Sequence, residues 1–242
     1  MSLKTKKEPY VITANVDRPD ARNAINFEVM DKLEHLLTEI ENDSDLRLFI
    51  LTGSGNSFVS GGDLREFHQI KDASGAKKMT RRMLKIIERI KNLPCWTLAA
   101  LNGHTYGGGW ELSLAFDFRV ASSSANIGFT QGKFYLPPGW GGITNLKHAV
   151  GKHQAKYWLA SQKVITADVA QKAGFLQDVF EENEYDTRLD ELKQSLTLND
   201  RAFIEYVKSS DIRSADDEVD PFSSFWENDT HQRRVEQFLN KE

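Results

Sequence analysis

The chain of 242 residues is long enough for a sizeable hydrophobic core, and its 40% hydrophobic and 27% charged residues are typical of a globular protein. A formal net charge of −4 argues against a nucleic-acid partner, although it leaves room for a local basic pocket that binds a phosphorylated ligand. Cys95 is the only cysteine, which excludes an intrachain disulfide and a cysteine-rich metal site. The sequence has no apolar signal segment and no run of about 18 apolar residues, so a cytoplasmic protein without a membrane partner is expected.

Strand and helix patterns alternate along the first half of the chain. The strand patterns are short apolar or alternating runs at Tyr10–Val16, Leu48–Leu51 and Trp96–Leu101. Between them, apolar residues recur at helical spacing from Glu28 to Ile40 and from Met79 to Ile90. This order predicts an α/β fold with a largely parallel sheet, in which ligands bind at the carboxyl ends of the strands.

Helical patterns dominate after residue 150. They cover 152–161, 166–173, 186–196 and 201–209, with a strand pattern only at 176–180. The final segment, 222–239, carries an apolar stripe that fits either packing in the core, the commoner case, or packing on a neighbouring subunit. No linker rich in proline, glycine or serine divides the chain, so we predict a single domain over 1–242, with a core of about 1–195 and a C-terminal helical region of about 196–242.

Two glycine-bearing segments, 52–63 and 103–109, follow predicted strands and are expected to line one crevice. The second contains three consecutive glycines and leads into a helix-like run that carries Glu111. Because backbone N–H groups of glycines approach a ligand closely, the amides of Gly62 and Gly108 are candidate donors to one carbonyl oxygen, with Glu111 as a proton shuttle. The alternative is that the glycines only allow close helix packing and that Glu111 caps the first helical turn.

Several other active-site patterns are absent from the sequence. The segment that begins at Gly53 lacks the third glycine of a dinucleotide fingerprint, and there is no P-loop lysine and no Gly-x-Ser-x-Gly motif. The six histidines show no metal-ligand spacing, so no protein-bound metal is expected. Cys95 follows a proline in an apolar context and is interpreted as a core thiol.

A series of motifs runs from about Val11 to Phe180 in a fixed order. The main motifs are 17–24 (Asp-Arg-Pro-Asp-Ala-Arg-Asn-Ala), 50–53 (Ile-Leu-Thr-Gly), 58–64 (Phe-Val-Ser-Gly-Gly-Asp-Leu), 107–112 (Gly-Gly-Gly-Trp-Glu-Leu) and 138–142 (Pro-Gly-Trp-Gly-Gly). In order and spacing they resemble the crotonase superfamily, also called the enoyl-CoA hydratase/isomerase family. Several motifs in the correct order are far more specific than any one of them.

The resemblance implies a crotonase-like α/β fold, a spiral of ββα units with a C-terminal helical trimerisation region. It implies an acyl-CoA thioester as substrate, coenzyme A only as part of that substrate, and assembly as a homotrimer or a dimer of trimers. In the family, amides matching Gly62 and Gly108 form the oxyanion hole for the thioester oxygen. The matching substrate-binding positions are Arg22, Ala24, Ser60, Gly61, Asp63, Leu64, Arg65, Gln131, Tyr135 and Trp140. Arg22 and Arg65 are candidate phosphate partners, with solvated surface arginines as the alternative.

One departure from the family pattern affects the reaction. Hydratases of the family use two glutamates, and whereas Glu111 stands at the first position, Gln131 occupies the second. A glutamine cannot supply a proton as a carboxylic acid does, although it can hold water or substrate by hydrogen bonds. Trp140 lies in a turn that resembles that of a decarboxylase of the same superfamily, and it either reshapes the acyl pocket or only packs there.

Three functions therefore stay open. The leading hypothesis is an acyl-CoA lyase of the enoyl-CoA hydratase type, with a thioester enolate in the two-amide hole and Glu111 as acid and base. The second is a decarboxylase of a malonyl-type CoA, in which the loss of CO₂ itself generates the enolate. The third is an acyl-CoA-binding paralogue with little catalysis.

Overall fold

The computed structural model describes residues 2–209 and 214–240. The strands of these residues are, in chain order, β1 (Leu3–Glu8), β2 (Val11–Val16), β3 (Leu48–Gly53), β4 (Ser57–Val59), β5 (Trp96–Leu101), β6 (His104–Tyr106), β7 (Phe118–Ser122), β8 (Asn126–Gly128), β9 (Val164–Thr166) and β10 (Asp178–Phe180). The helices are α1 (Phe27–Glu41), α2 (Leu64–Phe67), α3 (Ala73–Lys91), α4 (Gly108–Ser113), α5 (Gly142–Val150), α6 (Lys152–Ala160), α7 (Ala167–Lys172), α8 (Tyr185–Leu196), α9 (Arg201–Ser209), α10 (Val219–Trp226) and α11 (Asp229–Leu239). Short 3₁₀ turns lie at Pro19–Ala21, Gln131–Phe134 and Ala215–Glu218.

The strands form two sheets that advance together along the chain. The larger sheet has the order β1-β2-β3-β5-β7-β10, and the smaller has the order β4-β6-β8-β9. Only β1 in the larger sheet and β9 in the smaller pair antiparallel with their neighbours. In each of the consecutive pairs β3–β4, β5–β6 and β7–β8, the first strand belongs to the larger sheet and the second to the smaller. Each new pair adds its strands next to those of the preceding pair in both sheets. The chain therefore winds as a spiral, and the predicted α/β class with a largely parallel sheet is confirmed.

The main core lies between the larger sheet and the helices that cover it. In β3 the residues from Leu48 to Leu51 are all fully buried, which explains the continuous apolar run of that segment. Helices α1 and α3 pack on each other through the apolar faces predicted from their spacing. The side chains of Asn26 and Asp72 accept hydrogen bonds from Val29 N and Gly75 N, and these caps fix where the two helices begin.

The sequence patterns missed several short or exposed elements. Strand β1 consists mostly of lysine, threonine and glutamate, because it is an edge strand paired only with β2 and is largely exposed. The strands of the smaller sheet have only three residues each, too few to show a period. Helix α5 was also missed, because it starts at a glycine turn without a polar cap.

The C-terminal helical region differs from the expectation in one respect. The segment 222–239 forms parts of two helices, separated where Asn228 accepts a hydrogen bond from Thr230 N and caps α11. Its apolar side chains do not join the core, since Phe222, Trp226 and Phe238 are 61%, 59% and 75% exposed. The core interpretation of this stripe is therefore wrong, and packing on a neighbouring subunit stays a prediction. The predicted domain limits at residues 1 and 242 lie outside the described residues.

Polar contacts tie the first of the C-terminal helices to the spiral. Lys208 Nζ forms an ion pair with Asp117 at 2.6 Å and also donates to the carbonyl of Cys95. Arg201 donates to the carbonyls of Asp43 and Leu46. Across residues 2–209 and 214–240, no helix combines the length and the apolar character needed to cross a membrane.

Candidate active site

The two glycine segments meet because the strands before them are neighbours. Strands β4 and β6 pair in parallel, so that Ser57 lies opposite His104. The loops that leave their carboxyl ends touch, and a Cβ atom placed on Gly61 would lie 3.1 Å from the Gly108 nitrogen. Both loops line the same pocket. The predicted crevice is therefore present.

Two backbone N–H groups of these loops are free to bind a ligand. The residue before each donor has a positive φ, +113° at Gly61 and +52° at Gly107, which favours glycine at both positions. Ile25 N donates to Gly61 O, and Asp63 N donates to Ile25 O. Gly62 lies between these two hydrogen bonds, so its own N–H points away from Ile25. Among the described residues, neither Gly62 N nor Gly108 N donates to a protein acceptor. They are thus candidate donors to one ligand oxygen.

The indole ring of Trp140 lies against both donor glycines. A Cβ atom on Gly62 would be 3.5 Å from Trp140 Cζ2, and one on Gly108 would be only 2.3 Å from Trp140 Cζ3. Trp140 is buried and forms part of the pocket wall. The ring therefore fixes the shape of the pocket beside the donors, and no side chain fits at Gly108 unless the ring moves.

Glu111 is a buried carboxylate at the base of the same pocket. It lies in the first turn of α4 and is 2% exposed. Its Oε2 accepts hydrogen bonds from Trp140 N at 2.8 Å and from Gly142 N at 3.0 Å. Burial raises the pKa of the Glu111 carboxyl above its usual range, and the hydrogen bonds from these amides and from Gln131 oppose that rise. A carboxyl with a raised pKa is suited to accept and return a proton near neutral pH.

Gln131 lies next to Glu111 and is itself held from the other side. Its Nε2 donates to Glu111 Oε1 at 2.9 Å, and its Oε1 accepts from the indole Nε1 of Trp110 at 3.1 Å. The structure therefore places Gln131 beside Glu111, as the sequence motifs predict. In this position its amide supplies a hydrogen-bond donor and no acidic proton.

The pocket has a volume of about 660 Å³ and mostly apolar walls. The apolar lining consists of Leu64, Phe67, Ile70, Ala76, Met79, Phe134, Leu136, Pro137 and Trp140. The pocket lining also includes Ser60, Gly61, Gly62, Gly108, Glu111 and Gln131, which contribute polar groups. The lining includes no lysine or arginine, and Glu111 and His68 are its ionisable members. Nowhere in the described parts of the chain do three His, Cys, Asp or Glu side chains cluster as a metal site would require.

Five of the predicted substrate-binding residues lie outside the pocket lining. Arg22, which follows the 3₁₀ turn Pro19–Ala21, and Arg65, in helix α2, are exposed beside the pocket, where either alternative for them still holds. Ala24 is buried, and its carbonyl accepts a hydrogen bond from Arg18. Tyr135 is 97% exposed, and its backbone has a left-handed conformation with φ of 56°. The structure thus does not bring the Tyr135 side chain into the pocket.

Asp63 has a structural role in the glycine loop. Its carboxylate accepts hydrogen bonds from Arg65 N and Glu66 N, which caps α2, and it forms an ion pair with Arg18 at 2.7 Å. Burial favours the neutral form of Asp63, but these bonds outweigh it and lower the pKa. Sequence reasoning did not single out Arg18, although the Asp-Arg-Pro motif contains it.

Trp110 was also missed, although it directly precedes Glu111. Neighbouring residues of a helix point in different directions, and the partner of the Trp110 side chain lies 21 positions away in sequence. No local pattern in the sequence signals such a contact. The apolar walls formed by Phe67 and Met79 were missed for the same reason.

Comparisons with known proteins show which proteins this chain is similar to. The family model described as enoyl-CoA hydratase/isomerase matches residues 6–239. The short-chain-enoyl-CoA hydratase of Clostridium acetobutylicum is 31% identical over 91% of this chain and 84% of its own length. The crotonyl-CoA hydratase of Syntrophomonas wolfei is 34% identical over 74% of this chain and 69% of its own length. The crystal structure of an enoyl-CoA hydratase from Bacillus anthracis superposes with a TM-score of 0.91 at 25% identity, over 100% of this chain and 97% of the other. The structural match confirms the predicted spiral of ββα units with a helical C-terminal region.

Proposed function

We propose that this chain, which belongs to the enoyl-CoA hydratase/isomerase family, is a hydratase-like lyase that adds water to an enoyl-CoA thioester. The observation that carries the proposal is the buried carboxylate of Glu111 in one pocket with the free N–H groups of Gly62 and Gly108. The names of the relatives, which are hydratases, support the same class of reaction.

In the proposed reaction the thioester oxygen accepts hydrogen bonds from Gly62 N–H and Gly108 N–H. Negative charge develops on that oxygen when water adds to the β carbon of the substrate. The donors are held by the backbone before the substrate arrives, so they stabilise this charge without reorganisation. Each such donor contributes a factor of about 10²–10³ to the rate.

Glu111 moves the proton. Its carboxylate takes a proton from the attacking water, whose oxygen bonds to the β carbon while the electrons of the double bond form the thioester enolate. Glu111 then gives the proton to the α carbon, which collapses the enolate and restores the carboxylate. One group serves both steps, because Gln131 has no acidic proton to supply.

The two ends of the substrate are matched by different surroundings. The apolar walls of the pocket suit an uncharged acyl chain, since the pocket lining has no lysine or arginine that would pair with a carboxylate on the acyl chain. We assign the phosphates of the CoA moiety to the exposed side chains of Arg22 and of Arg65 in α2. The substrate itself brings the coenzyme, and the proposed reaction uses no separate cofactor.

We also propose that the chain assembles as a homotrimer or a dimer of trimers. The support is the set of large apolar side chains that α10 and α11 leave exposed, among them Phe222, Trp226 and Phe238. Apolar surface of this kind is stabilised when it is buried in an interface. Sedimentation velocity tests the assembly, and a monomer at micromolar concentration would refute it.

A second candidate reaction is the decarboxylation of a malonyl-type CoA. It is favoured by one observation, that Gln131 stands where a second acid is needed for two-carboxylate hydration. Loss of CO₂ leaves the same enolate in the hole formed by Gly62 and Gly108. The protonated form of Glu111 would then supply the proton to the α carbon.

Incubation with crotonyl-CoA, methylmalonyl-CoA and ethylmalonyl-CoA separates the candidates. Hydration of crotonyl-CoA without CO₂ release from the other two supports the lyase and removes the decarboxylase. CO₂ release without hydration gives the opposite assignment. Binding of all three without turnover contradicts both and supports a binding protein with little catalysis.

A further inference from the structure

A chain of hydrogen bonds leads from the protein interior to Glu111. The indole N–H of Trp110 donates to Gln131 Oε1 at 3.1 Å, and Gln131 Nε2 donates to Glu111 Oε1 at 2.9 Å. An indole N–H can only donate, so the amide oxygen must face Trp110 and the NH₂ group must face Glu111. If the amide turned over, an N–H would oppose an N–H at one end and an oxygen would oppose a carboxylate at the other.

The indole ring that fixes this orientation is itself immobilised. Trp110 is fully buried and packs on Phe129 with ring centroids 5.0 Å apart. Phe129 in turn stacks on Trp158 at 4.9 Å and meets Phe175 edge-on. On the other side, a Cβ atom on Gly142 would lie 2.5 Å from Trp110 Cη2, so no space is left for the ring to turn.

The two oxygens of Glu111 are not equivalent. The N–H groups of Trp140 and Gly142 occupy both lone pairs of Oε2. Oε1 accepts a hydrogen bond from Gln131, and the backbone N–H of Gly139 also helps to lower the pKa of the carboxyl. The arrangement leaves a lone pair on Oε1 for the proton that a substrate or a water exchanges with the carboxylate.

Glu111 has no charged partner in the described part of the chain. The elements packed against α4 are β4, β6 and α5, and the 3₁₀ turn 131–134 carries Gln131. Their ionisable side chains, with that of the pocket lining, are His68, His104, Tyr106, Lys133, Lys147 and His148. None of these hydrogen bonds to Glu111 or forms an ion pair with it, so hydrogen bonds from neutral donors alone stabilise the carboxylate.

We propose that Trp110 is a positioning residue for the reaction. It acts through Gln131, which keeps a hydrogen-bond donor on Glu111 Oε1 and leaves that oxygen as the proton carrier. The inference rests on the proposed function in one respect, that Glu111 transfers the proton. The orientation of Gln131 stabilises the ionised form of Glu111. Without the indole N–H, only the contact with Glu111 orients the amide, and the hydrogen bond from Gln131 to the carboxylate is weakened.

The test compares variants that differ in one hydrogen bond. Trp110→Phe removes the indole N–H, Gln131→Met removes the amide, and Trp158→Phe changes the same aromatic cluster without contact to Gln131 and serves as the control. The pKa of Glu111 is measured in the ligand-free protein by carboxyl ¹³C NMR titration, and the pH profile of kcat/KM is measured with crotonyl-CoA. If Trp110→Phe perturbs folding, replacement of Trp110 by 3-benzothienylalanine keeps the bicycle and removes only the N–H.

We expect Trp110→Phe to raise the Glu111 pKa by about 0.5–1 unit, the scale of one weakened hydrogen bond to a charged group. Gln131→Met gives a shift at least as large, and adding Trp110→Phe to it gives no further shift, because Trp110 acts through Gln131. Trp158→Phe leaves the pKa unchanged. An unchanged pKa in Trp110→Phe, or shifts that add in the double variant, would overturn the proposal.

The two measurements separate this inference from the proposed function. If the NMR pKa shifts as expected and the acid limb of kcat/KM moves with it, both stand. If the NMR pKa shifts and the rate profile does not follow, Trp110 still positions Gln131 on Glu111, but Glu111 is not the proton carrier and the proposed role in the reaction is wrong.

Discussion

Gly108→Ala places one methyl group at the point where the structure leaves no room. The new Cβ atom would lie 2.3 Å, 2.6 Å and 2.8 Å from Cζ3, Cε3 and Cη2 of Trp140. Carbon atoms in contact are separated by about 3.5 Å, so the ring or the first turn of α4 must move by about 1.2 Å. Either movement disturbs the site, since the ring forms the pocket wall and the helical turn carries the Gly108 N–H.

The size of both effects follows from this displacement. Overpacking of a rigid, buried ring costs about 1–3 kcal/mol, offset by the gain of up to about 1 kcal/mol that alanine brings to a helix over glycine. For a domain of this length each net kcal/mol lowers Tm by about 2–4 °C. A displacement of about 1 Å between a catalytic donor and its oxygen costs a factor of about 10² in kcat/KM.

Thermal unfolding and steady-state hydration of crotonyl-CoA measure the two effects. Gly139→Ala is the matched control, because its Cβ would meet only Thr80 Cγ2, at 3.9 Å. In a Trp140→Leu background the clash is absent, so Gly108→Ala should no longer destabilise the protein, which gives a coupling free energy of about 1–3 kcal/mol. If Gly108→Ala keeps both the Tm and the kcat/KM of the wild type, the packing of Trp140 on the donor loop is not what shapes the site.

Three further predictions concern the carboxylate and its neighbour. Glu111→Gln is expected to lower hydration of crotonyl-CoA by a factor of about 10²–10⁴ while calorimetry shows little change in CoA-thioester affinity, and an unchanged turnover would refute its role. Only ionised Glu111 takes a proton from water, and burial raises the pKa of this carboxyl. As the pH is lowered, kcat/KM should therefore begin to fall at a pH above the usual glutamate pKa of about 4.3. A fall of kcat/KM only at or below a pH of about 4.3 would contradict the assignment. Gln131→Glu places a second carboxyl where the amide now lies, 2.9 Å from Glu111, and should raise the hydration rate because two such carboxyls share one proton. No gain would mean that the pocket, and not the missing acid, limits hydration.

The sequence predicted those elements whose surroundings are uniform along their length. A strand buried on both faces, such as Leu48–Gly53, must be continuously apolar, and a helix on the sheet, such as Ala73–Lys91, must repeat apolar residues every three or four positions. The meeting of the two glycine loops was predicted as well, because both follow strands of the same sheet and glycine allows close approach of the backbone.

Other features depend on contacts that no local pattern encodes. The apolar stripe of α10 and α11 has the same sequence pattern whether a core or another subunit covers it, and its exposure shows that the core of this chain does not. Tyr135 lies four residues after Gln131, yet its side chain is exposed and does not line the pocket. Trp110 reaches Gln131 through the fold, so its part in the site follows from the three-dimensional structure alone.

The proposed mechanism requires that Gly62 N–H and Gly108 N–H bind the thioester oxygen beside Glu111. A crystal structure with butyryl-CoA, which is saturated and cannot be hydrated, tests it directly. We expect the thioester oxygen about 2.7–3.1 Å from both backbone nitrogens, with the acyl chain in the apolar pocket and Glu111 Oε1 facing its α and β carbons. A thioester oxygen that binds other groups, or an acyl chain outside this pocket, would contradict it.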